Sequence, residues 1–152
     1  HAQTHMVVAQ YFRDTRTPER FAQYVARSRF LRDINNEGAA KNASYKEGLQ
    51  RLEQFVMVRF SHDTTVLPPE SAWFGARSVP EDGRPARSVP LRESDVYVRD
   101  WLGLAALDRR GALRFHTCDG THMQLSPACK DLIFGQYVGR PRSPGRWLAM
   151  NA

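Results

Sequence analysis

Long apolar runs are missing from these 152 residues. Phe55 to Val58, as long as any, falls far short of the roughly 20 residues that a membrane-spanning helix needs. A mean hydropathy of −0.54 and 25% charged residues point the same way, so no transmembrane segment is expected. Cysteine is scarce too. Cys118 and Cys129 are too few for a disulfide scaffold or a thiolate metal site. Eleven positions apart, they are candidates for one bond in an oxidising compartment, with buried thiols as the alternative. Blocks of one charge sign are also absent. The net charge is +6, but Glu19, Asp33, Glu37, Glu53, Glu81, Asp82, Glu93 and Asp108 lie among the arginines. That mixture reads as solvated surface and gives no cationic stripe for nucleic acid. No charged-then-apolar leader is visible, and the first residue is His1, as expected of a processed chain or a fragment.

What is present suffices for one packed core: 41% hydrophobic residues, with 11% aromatics arguing against disorder. The first third reads as helical. Thr17-Pro18-Glu19 offers a cap followed by proline at the first helical position. Phe21, Tyr24, Val25, Phe30, Leu31 and Ile34 then recur at helix-like intervals, and Asn35-Asn36-Glu37-Gly38 ends the run with turn chemistry. A second helix carries Tyr45, Leu49 and Leu52 on one face.

Phe55-Val56-Met57-Val58-Arg59-Phe60 changes the texture to that of a strand buried on both faces, as in a parallel sheet. A polar loop at 61–65 and the pair Pro68-Pro69 end it. Residues 76–92 read as loop, Val96-Tyr97-Val98 as a short edge strand, and 101–107 as a short helix. A second strand is expected over 112–117, then a polar loop ending at His122. Ser126-Pro127 caps a helix running to about Val138.

Two units therefore share one plan, a strand and then a loop with a titratable group: Asp63 in the first, His122 in the second. In α/β sheets, functional groups gather at the carboxyl ends of strands. Serine hydrolases of that class order their triad as Ser, Asp/Glu, His. Asp63 and His122, 59 residues apart, fit the second and third places. Each has a plainer reading, Asp63 as a turn former and His122 as a surface histidine. A metal site from His62, Asp63, His116 and His122 is a competing idea, though no short His-x-x-x-His spacing supports it. Cys118 is a conceivable nucleophile near His122, with no separate base arrangement to activate it.

The chain resembles the C-terminal half of the lysosomal palmitoyl-protein thioesterases from about residue 7 to 138. The resemblance rests on Phe30-Leu31-Arg32-Asp33-Ile34-Asn35, Asn42-Ala43-Ser44-Tyr45-Lys46, Phe55-Val56-Met57-Val58-Arg59-Phe60 with Asp63, Trp73-Phe74-Gly75, Leu102-Gly103-Leu104 and Gly120-Thr121-His122-Met123-Gln124-Leu125-Ser126. It implies an α/β-hydrolase fold, with residues 1–54 as a helical insertion, 55–138 as sheet strands and their loops, and 139–152 as an Arg/Pro-rich extension. It also implies Asp63 as triad acid, His122 as base, and hydrolysis of fatty-acyl thioesters on protein cysteines without cofactor or metal. Lysosomal or secretory placement follows, with Asn42 of the Asn42-Ala43-Ser44 sequon as a glycosylation site. Val66, Trp73 and Phe74 become candidates for an acyl groove, and aromatic core packing is their alternative.

The departures matter equally. No Gly-x-Ser-x-Gly elbow occurs, so the nucleophile and oxyanion hole are expected in a partner N-terminal half. Thr121 stands where relatives often carry an acid, and both cysteines are unlike the family. The alternative function is a catalytically inactive, hydrolase-derived subunit of a larger assembly.

Overall fold

In the computed structural model, which describes residues 2–81 and 83–138, Thr17 caps the first long helix. Its extended backbone lets the side chain accept the Arg20 amide at 3.2 Å, and Pro18 opens the turn where no N–H is needed. Among the described residues, four α-helices and a 3-10 turn (Val8–Tyr11) precede the first strand: α1 (Ala2–His5), α2 (Pro18–Arg27), α3 (Leu31–Ile34) and α4 (Ala43–Gln50). The apolar run from Phe21 to Ile34 is thus split at Ser28. The amides of Arg29 and Phe30 both donate to Gln10 Oε1, at 2.7 and 3.1 Å, which removes the N–H groups that would continue α2. The expected turn follows. Asn36, left-handed at φ 57° and buried, donates to the Asn42 and Trp101 carbonyls and accepts the Asn42 amide. Tyr45 and Leu49 of α4 pack on the main core, whereas Leu52 lies past the helix end and is 39% exposed.

The strands are β1 (Phe55–Phe60), β2 (Ala76–Arg77), β3 (Ser88–Val89) and β4 (Leu113–Cys118). β1 and β4 pair in parallel, Phe55 opposite Leu113 through Phe60 opposite Cys118. Strand alternation then divides the core. Phe55 and Met57 join the cluster of Leu102, Leu104, Leu107 and Ala112, while Val58 and Phe60 pack with Cys118, Cys129 and Ile133. The Phe55 amide donates to the Ala112 carbonyl and the Ser61 amide to that of Cys118. Odd-numbered residues of β1 therefore bond towards β4. Val56 and Val58 turn their N–H and C=O to the opposite edge, where no described strand pairs.

The described residues of the expected loop over 76–92 hold a two-residue antiparallel ribbon of β2 and β3, a bridge between Glu81 and Arg84, and the start of a 3-10 turn at Leu91. Three helices complete the fold, α5 (Asp95–Val98), α6 (Leu104–Arg109) and α7 (Pro127–Tyr137). The edge strand expected over Val96-Tyr97-Val98 is wrong: these residues belong to α5. The Val98 amide donates to the Ser94 carbonyl, and Val96 and Tyr97 pack on the core while Val98 is exposed. Three residues carry too little periodicity to separate helix from strand. α6 begins later than expected because Asp100 and Gly103 are left-handed and the Asp100 carboxylate accepts the Ala105 amide at 3.0 Å. Ser126 caps α7 by accepting the Cys129 amide. The extension expected over 139–152 lies outside the described residues.

Candidate active site

The parallel pairing of β1 and β4 brings their following loops side by side. Asp63 leaves the first loop with both carboxylate oxygens engaged. Oδ1 accepts the amides of Thr65 and Val66 at 2.8 and 2.9 Å, and Oδ2 lies 2.9 Å from Nδ1 of His122. The turn reading and the histidine-partner reading of Asp63 thus occupy different oxygens of one group. Its side chain is 7% exposed. The Val66 amide first, then His122 and the Thr65 amide, hold the carboxyl below its ordinary range despite desolvation.

An ionised carboxylate only accepts, so Nδ1 of His122 carries a proton, and in a neutral imidazole Nε2 is then the acceptor. Nε2 has no hydrogen-bond partner among the described residues, and the ring is 39% exposed. Phe60 meets it edge-on, with centroids 6.5 Å apart. A hydrogen bond and an apolar edge therefore orient the imidazole, with one nitrogen left open.

The loop that carries His122 is pinned at both ends. Cys118, the last residue of β4, is bonded to Cys129 in the first turn of α7, enclosing His122 between them. Gly120 has φ 144°, and a Cβ there would stand 2.9 Å from the Gln124 carbonyl oxygen. Gln124 Oε1 accepts both the amide and the hydroxyl of Thr121 at 3.1 Å. The sequence reading missed Gly120, Gln124, Ser61 and Asp119. Only the glycine carried a signal, as a turn residue next to a titratable one.

The other predicted residues fall elsewhere. His116 Nε2 lies 2.9 Å from the Tyr137 hydroxyl, away from the Asp63–His122 pair. His62 Nε2 lies 3.3 Å from Asp119 Oδ1 on the exposed side of the loops. Of the four residues of the metal alternative, only Asp63 and His122 meet, and no group of three or more suitable ligands occurs among the described residues. Trp73 donates its Nε1 to the Met57 carbonyl, with its ring against Phe115 and the Arg59 guanidinium 4.0 Å from its face. Phe74, left-handed at φ 58°, packs on Phe55 and also lines an open groove of about 1430 Å³ with Tyr11, Phe21, Leu31, Leu67 and Val89. Val66 and Trp73 do not line that groove. Asn42 is exposed and caps α4, accepting the Ser44 amide at 3.0 Å and the Ser44 hydroxyl at 2.7 Å.

Parallel strands flanked by helices, with an acid–histidine pair at their carboxyl ends, place the chain in the α/β class. A family model described as "Palmitoyl protein thioesterase" matches residues 1–122 and so ends on His122. "Palmitoyl-protein thioesterase 3" of Dictyostelium discoideum is 42% identical over 79% of this chain and 39% of its own length. "Palmitoyl-protein thioesterase 1" of Caenorhabditis elegans is 39% identical over 81% and 39%. "Lysosomal thioesterase PPT2-B" of Xenopus laevis is 29% identical over 86% and 43%. The chain belongs to the palmitoyl protein thioesterase family, whose fold is that of the α/β-hydrolases. It spans about two fifths of the length of these relatives. No helix among the described residues is long and apolar enough to cross a membrane.

Proposed function

We propose that this chain carries the acid and base of a serine thioesterase that removes fatty-acyl groups from protein cysteines. The nucleophilic serine and the oxyanion donors then belong to a preceding segment of a longer protein. The observation that carries this reading is the 2.9 Å contact between Asp63 Oδ2 and His122 Nδ1, with Nε2 unpartnered among the described residues. The names of the relatives supply the substrate class.

In this scheme Nε2 of His122 takes the serine proton as the oxygen attacks the thioester carbonyl, and Asp63 stabilises the imidazolium. The C–S bond breaks and the cysteine leaves as thiolate, which needs no protonation to depart. The departed thiolate takes the proton from Nε2, which can then accept one from water as the water oxygen attacks the acyl-serine carbonyl. Nε2 returns that proton to the serine oxygen as the acyl C–O bond breaks, releasing the fatty acid and restoring the serine. No metal or cofactor enters. The lowered titration of Asp63 keeps it ionised in an acidic lumen, in keeping with relatives named as lysosomal. The disulfide and the exposed Asn42 sequon suit the same route, with Asn42 glycosylated. The groove wall at Phe74 is the proposed acyl path, while Val66 and Trp73 act as supports for Asp63 and β1. The open β1 edge at Val56 and Val58, and exposed Met6, Val7, Val8 and Tyr11, suit docking of the preceding segment.

The test is the initial rate on a palmitoyl thioester, measured with the full-length protein. His122→Ala and Asp63→Asn should each lose at least about a hundredfold while remaining folded by circular dichroism. In serine proteases the aspartate change costs about ten-thousandfold, and a smaller loss is expected here because the thiolate leaves unaided. His116→Ala should stay within about threefold of wild type, since its ring partners Tyr137. A folded His122→Ala protein with full activity would refute the assignment and favour an inactive, scaffold-like subunit.

A further inference from the structure

The contact between Asp63 and His122 spans two loops, and the side chain of Ser61 bridges the same gap. Its hydroxyl donates to Asp119 Oδ1 at 2.7 Å and accepts the Gly120 amide at 3.2 Å. The backbone adds two more links: the Ser61 amide donates to the Cys118 carbonyl at 2.9 Å, and the His62 amide to the Gly120 carbonyl at 3.0 Å. All four bonds run between residues just before Asp63 and residues just before His122. A hydroxyl is the one small group able to donate to the Asp119 carboxylate and accept the Gly120 amide at once. Asp119 Oδ1 also meets His62 Nε2 at 3.3 Å, so the latch has a third arm. Ser61 makes no hydrogen bond to Asp63 or to the His122 ring, so any influence on them passes through the loops.

We infer that Ser61 is a positioning residue, a latch that holds the base loop against the acid loop so that His122 Nδ1 stays on Asp63 Oδ2. This inference rests on the catalytic reading of that pair. The geometry of the base loop makes the latch effective. Gly120 sits at φ 144°, where a Cβ would stand 2.9 Å from the Gln124 carbonyl oxygen, so the backbone that donates to Ser61 is packed closely within its own loop. Downstream, the Cys118–Cys129 bond closes the loop, and displacement on the Ser61 side is transmitted to the histidine between them. The Asp119 side chain is 88% exposed, so water competes for the contact and the effect is a matter of alignment.

The experiment compares Ser61→Ala, Ser61→Thr, Asp63→Asn and the Ser61→Ala/Asp63→Asn double variant in the full-length protein, reading kcat and KM on a palmitoyl thioester. Ser61→Ala should lower kcat about tenfold, with KM within about twofold, because the latch bears on acid–base geometry and touches no acyl surface. Ser61→Thr retains the hydroxyl and should recover to within about threefold of wild type. In the Asp63→Asn background, Ser61→Ala should cost nothing further, since no competent pair remains to be held. Wild-type kcat in Ser61→Ala, or the same tenfold loss repeated in the Asp63→Asn background, would overturn the latch alone. Wild-type kcat in Asp63→Asn would overturn the catalytic reading and the latch together.

Discussion

At the scale of single residues, Asp63 serves two purposes through two oxygens, and substitutions can separate them. Asparagine keeps a carbonyl oxygen able to accept the Thr65 and Val66 amides, but presents an amide to His122 Nδ1 and so favours the wrong tautomer. Alanine loses both. Thermal unfolding of the full-length protein at neutral pH should therefore place Asp63→Asn between wild type and Asp63→Ala. Asp63→Ala should melt lowest of the three, because the exposed Thr65 amide and the partly buried Val66 amide lose their acceptor. The pH dependence has a definite sign. The folded carboxyl titrates below its ordinary value, so its contribution is fully present above the ordinary carboxylate range. That contribution is lost only as pH falls through the lowered folded value. An acid titration of the melting temperature should show a shallower acid limb for Asp63→Asn than for wild type. Equal limbs would mean that the pairing contributes nothing to the fold.

Among the elements, the closed loop that carries His122 is the decisive one. The Cys118–Cys129 bond ties the end of β4 to the first turn of α7 across 11 residues. In the chain-entropy description a loop of that size is worth about 3 kcal/mol. Replacing both cysteines by alanine in the full-length protein should lower its melting temperature by about 5–10 °C. The loss of activity should exceed the unfolded fraction, because the loop holding His122 loosens before the domain melts. Activity that merely tracks the folded fraction would argue against that order. Elements set by local chemistry were legible in the sequence: the Thr17-Pro18 and Ser126-Pro127 helix starts, and the apolar β1 run ended by prolines. Val96-Tyr97-Val98 was misread because core contacts of Val96 and Tyr97, and a carbonyl four residues back, decide its state. Asp63 and His122 were legible from chain order. Ser61 and Asp119 were not, since their meeting depends on parallel strand register, which no local pattern states.

For the whole molecule, the described sheet has only two strands, and β1 turns the backbone groups of Val56 and Val58 to an unpaired edge. Such a sheet, with Met6, Val7, Val8, Tyr11 and Phe12 exposed nearby in sequence, is poorly suited to stand alone. The isolated 152-residue chain should unfold without a cooperative calorimetric transition, and addition of the preceding segment should create one. A sharp transition in the isolated chain would show that its own core suffices. The central claim, that His122 is the base of a thioesterase completed by that segment, is tested most directly by rapid-mixing measurement of thiol release from a palmitoyl thioester. With the full-length wild type in excess over substrate, the first turnover reports acylation alone. The account predicts that His122→Ala slows this single-turnover rate constant by at least about a hundredfold while substrate binding is preserved. An unchanged rate constant in a folded His122→Ala protein would contradict it.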